Sequence, residues 1–210
     1  MLPTKTLLFD LDGTILDTRN FILSAFEHSL SVHGIPVPSR EVISKYVGLP
    51  FDECYFRLTN QKDTKKFHEA HRDFQIKNIH LSVLFPKAKE TLQALKDKGY
   101  KMGVVTSRYK LTVTESMRLA KIEDFFETVI FGDDLTNLKP HPEPVLKAME
   151  RLKSSANESV MIGDADTDIE AGKNAGTKTV RATYGFNTIR LHETEPDYII
   201  NNISDILKIF

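Results

Sequence analysis

The residues of this 210-residue chain that could do chemistry are oxygen-rich and gather at a few short turns. Asp10 and Asp12 stand two apart in Phe9-Asp10-Leu11-Asp12-Gly13-Thr14, directly behind the apolar pair Leu7-Leu8. In extended chain, residues two apart point the same way, so both carboxylates can face one site. Gly13 lets the chain turn sharply afterwards. Two close carboxylates repel, and the pair is costly without a cation or a shared proton. An acidic surface turn uses the same residue types, so the pair gains meaning from what joins it. Further along come Thr106-Ser107, then Leu138-Lys139-Pro140-His141-Pro142, then Gly163-Asp164-Ala165-Asp166-Thr167-Asp168. Singly these read as a turn, a solvated lysine and helix caps. Together they supply three carboxylates (Asp10, Asp12 and Asp164), a hydroxyl with backbone N–H donors at Thr106, and one ammonium. Hard oxygen donors of this kind suit Mg²⁺ held by a few carboxylates plus water and phosphate. The hydroxyl and the lysine suit phosphate oxygens.

For these groups to meet, the turns must lie at the same edge of one sheet. Residues 6–9, 102–105, 129–131, 160–162, 179–180 and 198–200 are short, apolar and β-branched or aromatic, the pattern of buried strands. Amphipathic stretches lie between them: 87–98, stopping at Gly99, then 144–152 and 166–175. Strand–helix alternation implies βαβ units, hence an α/β fold with a Rossmann-like parallel sheet and helices on both faces. Asp10, Asp12, Thr106 and Asp164 then converge at the carboxyl ends of the strands, where open parallel sheets bind ligands. From 15 to 80 the alternation stops. Stretches 17–32, with Asp17 or Thr18 as N-cap, and 64–79 carry helical apolar stripes, and no buried strand is expected there. Residues 1–14 and 81–210 are therefore expected to form the core, and residues 15–80 an inserted all-helical cap.

The four motifs resemble those of the haloacid dehalogenase superfamily of phosphohydrolases: FDLDGT at 9–14, TS at 106–107, LKP at 138–140 and GDADTD at 163–168. Order and spacing agree across essentially the whole chain, and a helical cap between the first two motifs marks one large subgroup. Within it the chain is most similar to phosphoglycolate phosphatases and to small pyrophosphatases. The resemblance implies that Asp10 is the nucleophile, forming an aspartyl-phosphate, and that Asp12 is the general acid and base. It further implies Mg²⁺ held by Asp10, Asp12 (through its backbone carbonyl) and Asp164. Thr106, Ser107, Arg108 and Lys139 would bind phosphate, and Asp168 would orient metal water or Lys139. Dehalogenases lack the acid at the position of Asp12, phosphonatases carry a small residue there, and transport ATPases a threonine. Asp12 thus favours a phosphatase or a mutase. The implied substrate is a small phosphorylated metabolite, phosphoglycolate first, with inorganic pyrophosphate and phosphosugar isomerisation as alternatives; binding without turnover is the non-enzyme alternative. Receiver domains use similar groups, but there the acidic pair precedes the phosphorylated aspartate and the domain is far shorter.

Composition narrows the partners. A net charge of −1 argues against nucleic acid or an acidic membrane surface. The single cysteine, Cys54, excludes an intrachain disulfide framework and reads as a small, partly buried residue. Without an apolar run long enough for a membrane span or a leader, a cytoplasmic monomer or homodimer is expected. Five histidines, His28, His33, His68, His71 and His80, fall in 15–80, and the spacing of His68 and His71 beside Phe67 and Phe74 suits a core border better than a metal site. The Val47-Gly48-Leu49-Pro50 turn, Arg19 and Arg57 are further candidate substrate contacts. Arg108 has the best case of the arginines because it follows Thr106-Ser107.

Overall fold

The computed structural model describes residues 4–186 and 194–210. The stretches left out, 1–3 and 187–193, fall within the ranges expected for the core. Six parallel strands form the sheet: β1 (Thr6–Phe9), β4 (Lys101–Val105), β5 (Thr128–Ile130), β6 (Ser159–Gly163), β7 (Lys178–Ala182) and β8 (Tyr198–Ile200), in the order β5-β4-β1-β6-β7-β8. All six lie where the apolar runs put them. β1 is flanked on both sides and wholly buried, which is why Thr-Leu-Leu-Phe reads as one continuous run. Its side chains still alternate. Leu7 and Phe9 join a core built with α5 (Ala88–Asp97), α6 (Lys110–Ala120) and the turn at 203–208, whereas Leu8 joins one built with α7 (Glu143–Leu152) and α8 (Asp166–Asn174).

The chain extends the sheet from β1 through β4 to β5 on one side and through β6 to β8 on the other. The carboxyl end of β1 is therefore a topological switch point. The residues following β1, β4 and β6 are Asp10, Thr106 and Asp164, and this strand order makes them neighbours.

Between β1 and β4 the chain forms β2 (Leu16–Asp17), α1 (Arg19–Val32), α2 (Arg40–Ser44), α3 (Phe51–Thr59), α4 (Lys65–Lys77) and β3 (Val83–Leu84). The helices pack around an apolar centre of their own, including Leu23, Phe26, Leu30, Ile43, Tyr55 and Phe67. One expectation is corrected here. The 15–80 stretch does contain a strand, because Leu16–Asp17 pairs antiparallel with Val83–Leu84. Two residues are too few for a periodic signal, yet the pairing clamps together the two chain crossings that join the helical layer to the sheet. No helix among the described residues is long and apolar enough to cross a membrane.

Candidate active site

The backbone N–H of Asp10 donates to the Ile162 carbonyl at 2.8 Å, extending the β1–β6 ladder one residue beyond β1. That bond holds Asp10, 6% exposed, at the bottom of the switch-point crevice. Lys139 arrives from the loop before α7, its peptide bond to Pro140 cis. Its Nζ donates to Asp10 Oδ1 at 2.7 Å, Asp168 Oδ1 at 2.5 Å and the Val105 carbonyl at 3.1 Å. Asp168, in the first turn of α8, accepts the Ala165 N–H on its other oxygen at 3.0 Å. Asp164 accepts the Phe186 N–H on Oδ2 at 2.6 Å. Its surroundings admit no side chain at Gly13: a Cβ there would lie 2.4 Å from Asp164 Oδ2, and φ of +89° strains any other residue.

Oxygens of Asp10, Asp164 and Asp168 lie within 4.8 Å of one another. Three buried carboxylates around one ammonium are short of positive charge. Burial drives the Asp10 carboxyl above its ordinary range; Lys139 pulls it down without cancelling that, and Asp168 and Asp12 push it further up. Asp164 moves the same way through burial, Asp10 and Asp168. Burial alone would discharge Lys139, but Asp10 and Asp168 outweigh it and keep the ammonium charged. An oxygen-only donor set with excess negative charge fits a hard divalent cation such as Mg²⁺. Asp168 has both oxygens engaged, so Asp10 and Asp164 are the side chains with donor capacity to spare.

Asp12 departs from this cluster. Its carboxylate pairs with Arg108, Nη1 to Oδ1 at 2.6 Å, instead of joining the acids around Lys139. Arg108, expected as a phosphate contact, is thereby committed elsewhere. Thr106 is buried and accepts the Arg108 N–H on Oγ1 at 3.1 Å, while Ser107 is exposed. Of the other candidates, Arg19 donates to the Gly185 carbonyl at 3.0 Å and lies over the Phe186 ring. Arg57 pairs with Glu53 on the surface, and Val47 and Leu49, both half-buried, pack against the centre of the helical layer. Cys54 is fully rather than partly buried, its thiol directed at the Tyr46 carbonyl. His71 bonds Tyr55 through Nδ1 at 2.7 Å, inside a cluster of aromatic rings.

These features acquire a family when the chain is compared with known proteins. The model of the haloacid dehalogenase-like hydrolases matches residues 7–182. The chain belongs to that family. This hydrolase is 35% identical to pyrophosphatase PpaX of Bacillus mycoides, covering 98% of this chain and 96% of the relative. It is 34% identical to the Bacillus cereus protein of the same name, over 98% and 95%. A solved structure described as a predicted phosphoglycolate phosphatase from Haemophilus somnus superposes with a TM-score of 0.92 at 28% identity, covering 100% of this chain and 99% of that one. The hydrolase is a phosphatase of this family.

The motifs alone did not reveal several supports of the site. Buried Arg181 donates to Asp166 Oδ1 at 2.6 Å and to the Thr194 carbonyl at 3.2 Å, tying α8 to the chain after β7. An arginine directly after the short run 179–180 is a readable signal, since a guanidinium buried in β7 must be paired. The Phe186 N–H that holds Asp164 is a backbone group and leaves no mark on residue type.

Proposed function

We propose that this hydrolase is a Mg²⁺-dependent phosphatase acting through an aspartyl-phosphate on a small phosphorylated compound. The observation that carries the reading is the buried cluster of Asp10, Asp164 and Asp168 around Lys139 at the end of the central strand. Asp10 attacks phosphorus in line while the bond to the leaving oxygen breaks, and Asp12 gives that oxygen its proton. Water then attacks the aspartyl-phosphate as Asp12 takes its proton, releasing phosphate and restoring Asp10. Lys139 favours the ionised form of Asp10 against the push of burial and offsets charge on the phosphoryl group. Thr106 and the neighbouring N–H groups hold phosphate oxygens. Asp10 and Asp164 would hold the cation, whose contribution is to let an anionic nucleophile approach an anionic phosphate.

Residues 15–80 serve as a cap that excludes water and selects the leaving group. Support comes from contacts at its border with the core: Arg19 on Gly185 and Phe186, Phe21 under Arg108, and Arg72 over the Tyr109 ring. Full-length relatives that are pyrophosphatases at 35% and 34% identity move pyrophosphate ahead of phosphoglycolate as the first substrate to try. Both are small and carry a second anionic group. The test is phosphate release with Mg²⁺ from p-nitrophenyl phosphate, pyrophosphate, phosphoglycolate and a phosphosugar, the last also scored for isomer formation. Release from the aryl phosphate, with the highest kcat/KM on pyrophosphate or phosphoglycolate, is expected. No release from any of them contradicts the reading, and isomer formation in place of release makes the chain a mutase.

A further inference from the structure

Resting on the phosphatase reading, we propose that Arg108 is the positioning residue for Asp12: it fixes one carboxyl oxygen so that the other does the proton work. The guanidinium is held on every side. Nη1 donates to Asp12 Oδ1 at 2.6 Å, Nε to Thr112 Oγ1 at 3.2 Å, and Nη2 to the Thr112 carbonyl at 2.6 Å and Ser116 Oγ at 2.5 Å. Thr112 and Ser116 are buried on α6, so the fork is anchored to the sheet side of the molecule. Its Cζ lies over the ring of Phe21, a fully buried residue of α1, 4.8 Å from the ring centroid. The Arg108 side chain is only 9% exposed. A guanidinium with this many partners is not a free arm for phosphate. It is a rigid bracket, and among the described residues its bond is the only one made by the Asp12 carboxylate.

The division of labour follows from carboxyl chemistry. With Oδ1 accepting from Arg108, Oδ2 is the oxygen left to carry the proton. As Asp10 bonds to phosphorus and the leaving P–O bond breaks, the proton passes from Oδ2 to the leaving oxygen. Asp12 is then a carboxylate, and Oδ2 takes a proton from the water that attacks the aspartyl-phosphate. The Arg108 bond to Oδ1 persists through both steps, so the carboxyl plane need not be re-oriented between them. Because the Phe21 ring of α1 packs against the guanidinium, the bracket is complete only when α1 is seated against the core. Proton transfer is in this way linked to the seating of the helical layer.

Leaving groups of different basicity test the proposal. A p-nitrophenolate departs with little need of a proton, whereas the alkoxide of phosphoglycolate needs one. In Arg108→Met, kcat/KM on phosphoglycolate is expected to fall roughly 10²-fold while that on p-nitrophenyl phosphate falls less than about 10-fold. Asp12→Asn gives the same pattern, and inhibition by inorganic phosphate changes less than about twofold in Arg108→Met, since no phosphate contact is lost. Arg108→Lys restores part of the phosphoglycolate rate, because a lysine can reach Oδ1 but cannot bridge Thr112 and Ser116. Should the methionine variant fail to fold, the lysine variant carries the test through the same ratio of the two substrates. Equal losses on both substrates assign Arg108 a merely structural role and overturn the proposal. Weakened phosphate inhibition makes Arg108 a phosphate ligand and overturns it as well. If Asp12→Asn itself shows no dependence on the leaving group, the phosphatase chemistry given to Asp12 fails first and the bracket falls with it.

Discussion

Lys139 is where the electrostatics of the site are decided, because one ammonium faces the carboxylates of Asp10 and Asp168 away from water. Removing one member of a buried charge cluster leaves the others uncompensated, at about 3–5 kcal/mol. Lys139→Met is therefore expected to lower Tm markedly as well as to abolish turnover, with differential scanning calorimetry and phosphate release as the two readouts. Asp10→Asn should behave differently. It removes a carboxylate that burial and its acidic neighbours already disfavour, and it leaves Lys139 paired with Asp168. Turnover should fall by on the order of 10³-fold or more while Tm stays at or above that of the parent chain. An Asp10→Asn protein with parental kcat is incompatible with Asp10 as nucleophile. Gly13→Ala tests the space around Asp164. The added methyl cannot coexist with the Asp164 carboxylate in its present place, so activity should drop although no functional group has been removed.

At the level of helices and strands, His71 supplies a pH-dependent term. It is buried among Phe26, Phe51 and Tyr55, and burial, with a smaller effect of His68, pushes its imidazole down from the usual value to about 3. In the window between about 6.5 and 3 the unfolded chain holds a proton at this residue and the folded chain does not. Stability therefore rises with pH across that window and is lost on acidification, by up to about 1.4 kcal/mol per pH unit. His71→Gln should flatten the dependence of Tm on pH between about 4 and 6, inside that window; a slope identical to the parent's would place the effect elsewhere. The same helices show what could be read from residue order. α1 and α4 carry long apolar stripes and lie close to their expected positions, and so do all six strands of the sheet. The short α2 and α3 are not announced by periodicity, since five and nine residues span too few turns. α6 begins Lys-Leu-Thr-Val-Thr, a β-branched run that local propensity does not assign to a helix; packing of Val113 and Met117 against the sheet overrides it. Within the site, the motif acids and Lys139 were legible because type and spacing identify them. The Asp12–Arg108 pairing was not, since it depends on how α6 leaves β4 and on where Phe21 comes to rest.

Across the whole molecule, the fold brings together carboxylates that are far apart in the chain, and that convergence has a thermodynamic signature. Asp10 follows β1 and Asp164 follows β6, the fourth strand of the six-stranded sheet in chain order, so their repulsion exists only in the folded state. A cation that binds this cluster binds the folded chain and not the unfolded one, and it must raise stability by mass action. At 100-fold excess over Kd the gain is about 2.7 kcal/mol. For a domain of this size that corresponds to roughly 5–10 °C in Tm. Mg²⁺ should therefore raise Tm, and excess chelator should remove both the increment and the activity. The increment should vanish in Asp164→Asn. It should survive in Asp12→Asn, because the Asp12 side chain is engaged by Arg108 outside the cluster. That contrast separates an ion seated at the switch point from diffuse association of Mg²⁺ with an acidic surface, which either substitution would leave almost unchanged. Loss of the increment in Asp12→Asn alone would move the cation to the Arg108 side of the crevice and redraw the site.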